Sequence, residues 1–311
     1  MKNLMFAIKA LSPLHCGIGS GMNDIDLPVA RHKVSGHPVI PGSSIKGVLK
    51  DEFQTVLKPV AENADTIVEA MFGGNGKAGN FFASAISIGD AMLIALPVRS
   101  FFGTFAYLAS PFTLQQCKRI MERCNPGQEL PKIPTQLGLE KDADCYRAMV
   151  TKSTLLKGPK DLVLLEEMDL IIDPADAGDW AACLADIYCS SDEEKSLFMQ
   201  RFAVVDDNVL NFLCDTALPV DAHIRIDEET GTVAQGALWY EETVPPETMF
   251  MSLVGMDRSF RDGTDLSAEA LTDALLASNR SERNIFTQMG GKATTGKGFV
   301  AVRMLRGGAN A

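Results

Sequence analysis

Between Leu14 and Phe53 the chain concentrates residues that could hold or cut a phosphodiester. His15 leads into glycines at 17, 19 and 21. Asp24 and Asp26 follow, and then the basic run Arg31, His32 and Lys33. Pro41-Gly42-Ser43-Ser44 enters a segment that carries Lys46 and Lys50. Two carboxylates in a loop can hold Mg²⁺ or Mn²⁺ while substrate oxygens complete the shell, and one alone can orient a ribose 2′-hydroxyl. Paired aspartates also cap turns, and the D-x-D spacing leaves both readings open. His15, at the end of the first predicted strand, is an acid/base or RNA-contact candidate. It reads equally well as a packed, hydrogen-bonded histidine. His32, His37 and His223 lack diagnostic neighbours, so no Ser-His-Asp or Cys-His constellation is assigned.

The elements that must position these groups follow from periodicity. Residues 4–11 read as a strand, and residues 12–42 as loop with a hairpin near Lys33–His37. Ser43 is a plausible N-cap. Ile45, Val48, Leu49, Phe53, Val56 and Leu57 then fall on one helical face. With Ser43 as cap, Lys46 occupies the third helical position, where a stabilising sequence places Glu. Either an anion sits on the unpaired N–H groups and pairs with Lys46, or an exposed lysine is tolerated there.

Gly290-Gly291-Lys292-Ala293-Thr294-Thr295-Gly296-Lys297-Gly298 partly fits a P-loop. The position that should hold magnesium is Gly298, however, and a strand rather than a helix follows. What remains is a glycine- and lysine-rich loop whose backbone N–H groups can face a phosphate chain, or an ordinary tight connection.

Further along, a second helix is expected over 61–71, then a glycine-rich loop at Phe72–Gly79. Strands are expected at 83–88 and 92–98, and a helix over 111–124. The region 125–160 reads as an insertion with a strand near 146–151. Residues 161–173 read as strand and 176–214 as two or three helices. Residues 222–254 form a hairpin system turning at Asp227–Gly231, and 266–278 a helix, before a last strand from Phe299 to Leu305. No repeat appears, and the mixed order makes the class α+β.

The formal net charge of −11 argues at first against a nucleic-acid ligand. Its distribution reverses that. Residues 1–50 hold six Lys/Arg against two Asp, and residues 279–311 hold six against one Glu, so the acidity is confined to the middle. A polyanion needs only a local basic stripe. The seven cysteines are odd in number and never spaced C-x-x-C, a pattern that suits a reduced cytoplasmic protein rather than a disulfide scaffold or zinc site. No apolar run is long enough to cross a bilayer, and the first residues read as strand rather than signal peptide.

Several segments together resemble a known family. His15-Cys16-Gly17, Asp26-Leu27-Pro28-Val29-Ala30-Arg31 and Pro38–Gly47 resemble the first signature of the RAMP superfamily of CRISPR proteins. Met71-Phe72-Gly73, Asp90-Ala91, Pro97–Gly103, Gly236–Glu242 and the Gly290–Gly298 loop follow in matching order. The whole is similar to the repeated backbone subunit of type III-B (Cmr) effector complexes. The opening signature is shared with the type III-A (Csm) subunit.

The resemblance implies a ferredoxin-like (RRM-like) palm spanning 1–311 as a single domain. An inserted helical region would lie at about 125–215 and a β-hairpin thumb at about 222–238. It implies copies stacked in a helical filament along a CRISPR guide RNA, beside other complex subunits. Guide-paired single-stranded target RNA would be cut at regular intervals with a divalent metal, Mg²⁺ or Mn²⁺. The essential aspartate falls on Asp26, also the expected metal ligand, with Asp24 second. His15 and the Tyr240–Glu242 segment lie near the cleavage loop, with Glu242 as the catalytic candidate in it. RNA contacts are expected from Lys46, Ser43, Ser44, Lys50, Arg31, Arg225, Gly291, Lys292, Thr294 and Lys297. A non-catalytic filament subunit and a guide-processing endonuclease are the rival readings.

Overall fold

The computed structural model describes residues 1–19, 21, 25–57, 64–74, 81–135, 137, 145–227, 229–277 and 284–306. The chain opens with β1 (Lys2–Ala10), β2 (Val39–Ile40), α1 (Gly42–Leu57), α2 (Ala64–Phe72), β3 (Ile86–Ile88) and β4 (Ala91–Arg99). It continues through β5 (Phe105–Ala109), α3 (Pro111–Cys124), β6 (Arg147–Val150), β7 (Leu162–Leu164), β8 (Asp169–Ile172), α4 (Gly178–Tyr188) and α5 (Asp192–Met199). It ends with β9 (Phe202–Val205), α6 (Asp207–Thr216), β10 (Val220–Ile226), β11 (Val233–Glu242), β12 (Met249–Met256), α7 (Ala268–Ala277), β13 (Asn284–Gln288) and β14 (Phe299–Arg306).

The centre of the large sheet runs β14-β1-β12-β4, with every neighbouring pair antiparallel. In chain order this is fourth, first, third, second, with α1 and α7 as the crossovers. That is the ferredoxin-like arrangement within an α+β fold. β1 is buried on both faces, as a central strand covered by helices must be. Its even residues Leu4, Phe6, Ile8 and Ala10 enter one core with Ile45, Leu49 and Phe53 of α1 and with Leu271 and Leu275 of α7. Ala7 enters a second core with Leu114 and Cys117 of α3 and Trp180 and Leu184 of α4. Lys9 shares that second face because Glu194 and Glu247 neutralise it at 2.7 and 2.8 Å.

Beyond β4 the sheet continues through β5, β9, β6, β8 and β7. The 125–215 insertion is therefore not helical alone. It holds β6 to β9, which lengthen the palm sheet, together with α4, α5 and most of α6. β9 falls inside the span expected to be helical. Its four residues are all buried, so no polar alternation marks it as a strand. The α3 start agrees with expectation: Pro111 opens it, and Ser110 and Thr113 form a reciprocal cap.

The α1 start differs from expectation. The helix opens at Gly42, so Ser43 is not its cap, and Asp90 Oδ1 accepts a hydrogen bond from Gly42 N at 2.8 Å. The acid missing from the local sequence comes from the residue before β4, where a carboxylate favours the helix N-terminus. A Cβ on Gly42 would run into the Ile88 carbonyl oxygen and the Gly89 backbone. Gly42→Ala is expected to cost about 1–3 kcal/mol of unfolding free energy by urea titration. An unchanged midpoint would contradict the contact.

Among the described strands, β10 and β11 pair only with each other. Ala222, Ile224 and Ile226 stand opposite Tyr240, Leu238 and Val233 and share one face of this ribbon. Ile224, Ile226, Val233, Leu238 and Tyr240 are all exposed. This hairpin extends the expected 222–238 segment at both ends. Among the described residues, no helix is long and apolar enough to cross a membrane.

Candidate nucleic-acid interface and carboxylate site

The end of β11 threads between the two halves of the segment that first drew attention. On one side Leu14 and Val244 exchange backbone hydrogen bonds of 2.9 and 2.8 Å. On the other, Leu27 N donates to Tyr240 O at 3.1 Å, and Glu242 N donates to Leu27 O at 3.0 Å. Ala30 N donates to Cys16 O at 2.6 Å and closes the loop between them.

Asp26 sits on that loop with its side chain exposed. Its Oδ2 accepts from Tyr240 N at 2.8 Å, and its Oδ1 has no hydrogen-bond partner among the described residues. One oxygen fixes the carboxylate on an exposed side chain. Asp24 lies outside the described residues.

His15 and Glu242 are placed differently from expectation. His15 is buried, and its Nδ1 donates to the Glu242 carbonyl at 2.8 Å, since a carbonyl can only accept. A Cβ on Gly17 would lie 2.6 Å from Nε2, so the ring is packed beneath the loop rather than displayed. The Glu242 carboxylate is also buried. One oxygen accepts from Val29 N at 2.9 Å and the other from Arg31 at 2.5 Å. Arg31 in turn binds Gly36 O, Cys214 O and Asp215. Glu242 and Arg31 thus serve the loop's architecture, with neither oxygen of Glu242 left for a substrate.

The Gly290–Gly298 loop is stapled to the same strand end. Gly291 N donates to His15 O and Gly298 N to Pro13 O, each at 2.8 Å. The Gly291 amide is therefore spent inside the protein rather than offered to a phosphate. Lys297 is buried and binds Glu241 at 2.7 Å, and Lys292 binds the same carboxylate at 3.3 Å. These lysines are not the free cations their sequence context implied. Thr294 is exposed in a short 3₁₀ turn, Ala293–Thr295.

Glu241 lies in the Tyr240–Glu242 segment but is not singled out as a site residue by the sequence. Adjacent strand residues face opposite ways, so Glu241 meets the loop lysines while Glu242 meets Arg31. Two consecutive acids at the end of an otherwise uncharged strand were the available signal. Burial alone would raise the Glu241 pKa, but hydrogen bonds from Lys297 and Lys292 hold it below the usual glutamate value. A lowered folded-state pKa contributes stability above the unfolded value and loses it as pH falls through the folded one. Lys297→Met is therefore expected to flatten the fall in thermal midpoint between about pH 5 and pH 3. Parallel wild-type and variant curves would refute this.

The positions that remain open to a polyanion lie on α1 and the hairpin. Lys46 and Lys50 stand one helical turn apart with no carboxylate partner among the described residues. Partial burial and the charge of Lys50 lower the Lys46 pKa. Ser43 is exposed and Ser44 half-buried beside them. Arg225 is exposed on β10. His223 stacks on Trp239 with ring centroids 5.6 Å apart, and Lys292 lies over the Trp239 ring at 5.7 Å.

The RAMP superfamily model matches residues 7–301. The CRISPR system Cmr endoribonuclease Cmr4 of Pyrococcus furiosus is 32% identical over 98% of this chain and 96% of its own. A crystal structure of oligomeric Cmr4 from Pyrococcus furiosus superposes with a TM-score of 0.70 at 27% identity, covering 98% of each chain. A type III-B Cmr-beta complex bound to cognate target RNA contains a chain with the same fold, at a TM-score of 0.70 and 23% identity, covering 98% of this chain and 97% of that one. The chain belongs to the RAMP superfamily and is a Cmr4 homologue.

Proposed function

We propose that this protein is a guide-RNA-binding backbone subunit of a type III-B CRISPR effector complex that cleaves guide-paired target RNA. The observation that carries the reading is Asp26, an exposed carboxylate with one oxygen fixed on the Tyr240 amide and the other without a partner among the described residues. The Pyrococcus relative is named an endoribonuclease, and its solved form is oligomeric. Self-association into a filament alongside other complex subunits follows by likeness. The seven cysteines are free thiols, consistent with a cytoplasmic setting.

In the proposed reaction Asp26 Oδ1 accepts the proton of a target 2′-hydroxyl. The 2′-oxygen attacks the adjacent phosphorus in line, the bond to the 5′-oxygen breaks, and that oxygen takes a proton from water. The products are a 2′,3′-cyclic phosphate and a 5′-hydroxyl. Placing the three atoms in line is the larger contribution, because an A-form duplex holds them out of line.

Among the described residues, no group of three His, Cys, Asp or Glu side chains could hold a metal. Those residues alone do not make a resident metal centre. A Mg²⁺ or Mn²⁺ ion would instead be held by Asp26 together with RNA and water and would neutralise charge on the reacting phosphate, as an alternative to direct proton acceptance by that carboxylate.

Guide binding is assigned to α1. A sequence-blind contact must address phosphates and 2′-hydroxyls, and Lys46, Lys50 and the Ser43–Ser44 hydroxyls provide for that. Lys46→Ala with Lys50→Ala is expected to weaken guide binding and reduce its log–log salt slope by about 1.4. An unchanged slope would move the guide elsewhere.

The reading as a whole is tested by reconstituting the complex with guide and end-labelled complementary target. Regularly spaced fragments ending in cyclic phosphate are expected, and chelation with EDTA separates a metal-assisted from a metal-free route. A target bound but left intact would make the subunit a scaffold only.

A further inference from the structure

We infer that Glu241, clamped by Lys292 and Lys297, is the positioning residue for Asp26. This rests on the reading that Asp26 acts on RNA, and it gives the glycine-rich loop a different role from a phosphate cradle.

Among the described residues, the Asp26 carboxylate is oriented by a single backbone amide, that of Tyr240. Tyr240 lies on β11, whose outer part is paired only with β10. An isolated two-stranded ribbon is marginally stable, so the direction of that amide depends on what anchors the ribbon's base. Backbone hydrogen bonds with Leu27 hold one side of that base, and the residue that follows Tyr240 anchors the other. The Glu241 carboxylate is 1% exposed, with Lys297 Nζ at 2.7 Å on one oxygen and Lys292 Nζ at 3.3 Å on the other. Lys297 Nζ also lies 3.6 Å from Asp221, so one ammonium ties both hairpin strands to the palm. Lys292 adds its contact with the Trp239 ring on the same face, where Trp239 stacks on His223.

The clamp is itself fixed to the palm. Gly290 and Gly298 have φ of +81° and +87°, and a Cβ on Gly290 would collide with the His15 carbonyl. The loop's two lysines therefore approach Glu241 from a backbone pinned at both ends. A buried ion group of this kind adds little net stability compared with an apolar replacement. What it adds is one defined hairpin angle, and with it one defined place for Asp26. An error of about 1 Å in such a group costs on the order of 100-fold in rate.

The test uses the reconstituted complex with guide and target. Glu241→Gln is expected to lower the single-turnover cleavage rate at saturating target by about 10- to 100-fold, with target affinity within about twofold. Glu241→Asp, which keeps the charge, is expected to recover most of the loss. A merely structural role would lower assembly or affinity instead and would not separate Gln from Asp. Glu241→Gln cleaving at the parent rate overturns the inference, as does a rate loss fully accounted for by lost target binding. Lys292→Met, at a half-exposed position, carries the same comparison where Glu241→Gln fails to assemble. Asp26→Asn run in parallel keeps the two readings apart. If it cleaves at full rate, the underlying reading fails. If it is inactive while Glu241→Gln is unaffected, only the clamp is refuted.

Discussion

Asp26→Asn is expected to reduce target-RNA cleavage by about 100- to 10,000-fold while leaving complex assembly and guide binding unchanged. The side chain is exposed, so the substitution removes no core contact. Its hydrogen bond from Tyr240 N can still be accepted by the amide oxygen. The other terminal atom becomes an NH₂ group, which cannot accept the 2′-hydroxyl proton. Geometry is kept and basicity is lost. The measurement is single-turnover cleavage of guide-paired RNA, with the mass of assembled complexes as control. A rate within tenfold of the parent would remove Asp26 from the reaction. The hydroxyl would then have to be activated by RNA and solvent alone.

Glu242→Ala is expected to destabilise the protein by about 3 kcal/mol, near the lower end for breaking a buried pair. The carboxylate's side chain is 4% exposed, and its loss orphans the Val29 amide and deprives Arg31 of its buried carboxylate partner. Arg31 keeps Asp215 at 3.3 Å and two carbonyls, which holds the cost below the upper limit. The loop carrying Asp26 hangs from this contact, so cleavage is expected to fall together with stability. Chemical denaturation of Glu242→Ala, Arg31→Met and the double variant closes a cycle. The double variant should be less destabilised than the two single costs added. Strict additivity would show that the pair does not cooperate.

The fold was legible where local chemistry repeats or punctuates. β1 and α1 announced themselves through apolar residues, and α3 through the proline that opens it, Pro111. β9 was hidden because four consecutive buried residues carry no period. The cap of α1 was hidden because its carboxylate, Asp90, lies far along the chain, and a sequence reader looks for it at Ser43. The site was legible in part. Spacing alone left Asp26 undecided between turn cap and reactive group, and the family resemblance promoted it. The tertiary ion pairs could not be read. Nothing in the order of residues says that Arg31 meets Glu242, or that Lys292 and Lys297 meet Glu241, so four charged groups looked available when their partners already held them.

The central place of β1 has a consequence for biosynthesis. Its neighbours are β12, which begins at Met249, and β14, which begins at Phe299. β1 therefore leaves the ribosome before both of its sheet neighbours and must wait for them. Contacts so distant along the chain carry a large closure entropy and slow folding. In that interval Leu4, Phe6 and Ile8 have no sheet partner, and a nascent or truncated chain presents an apolar strand with both edges open. Truncations that stop before β12 are expected to be insoluble, since the palm has no partial form in which that strand is covered.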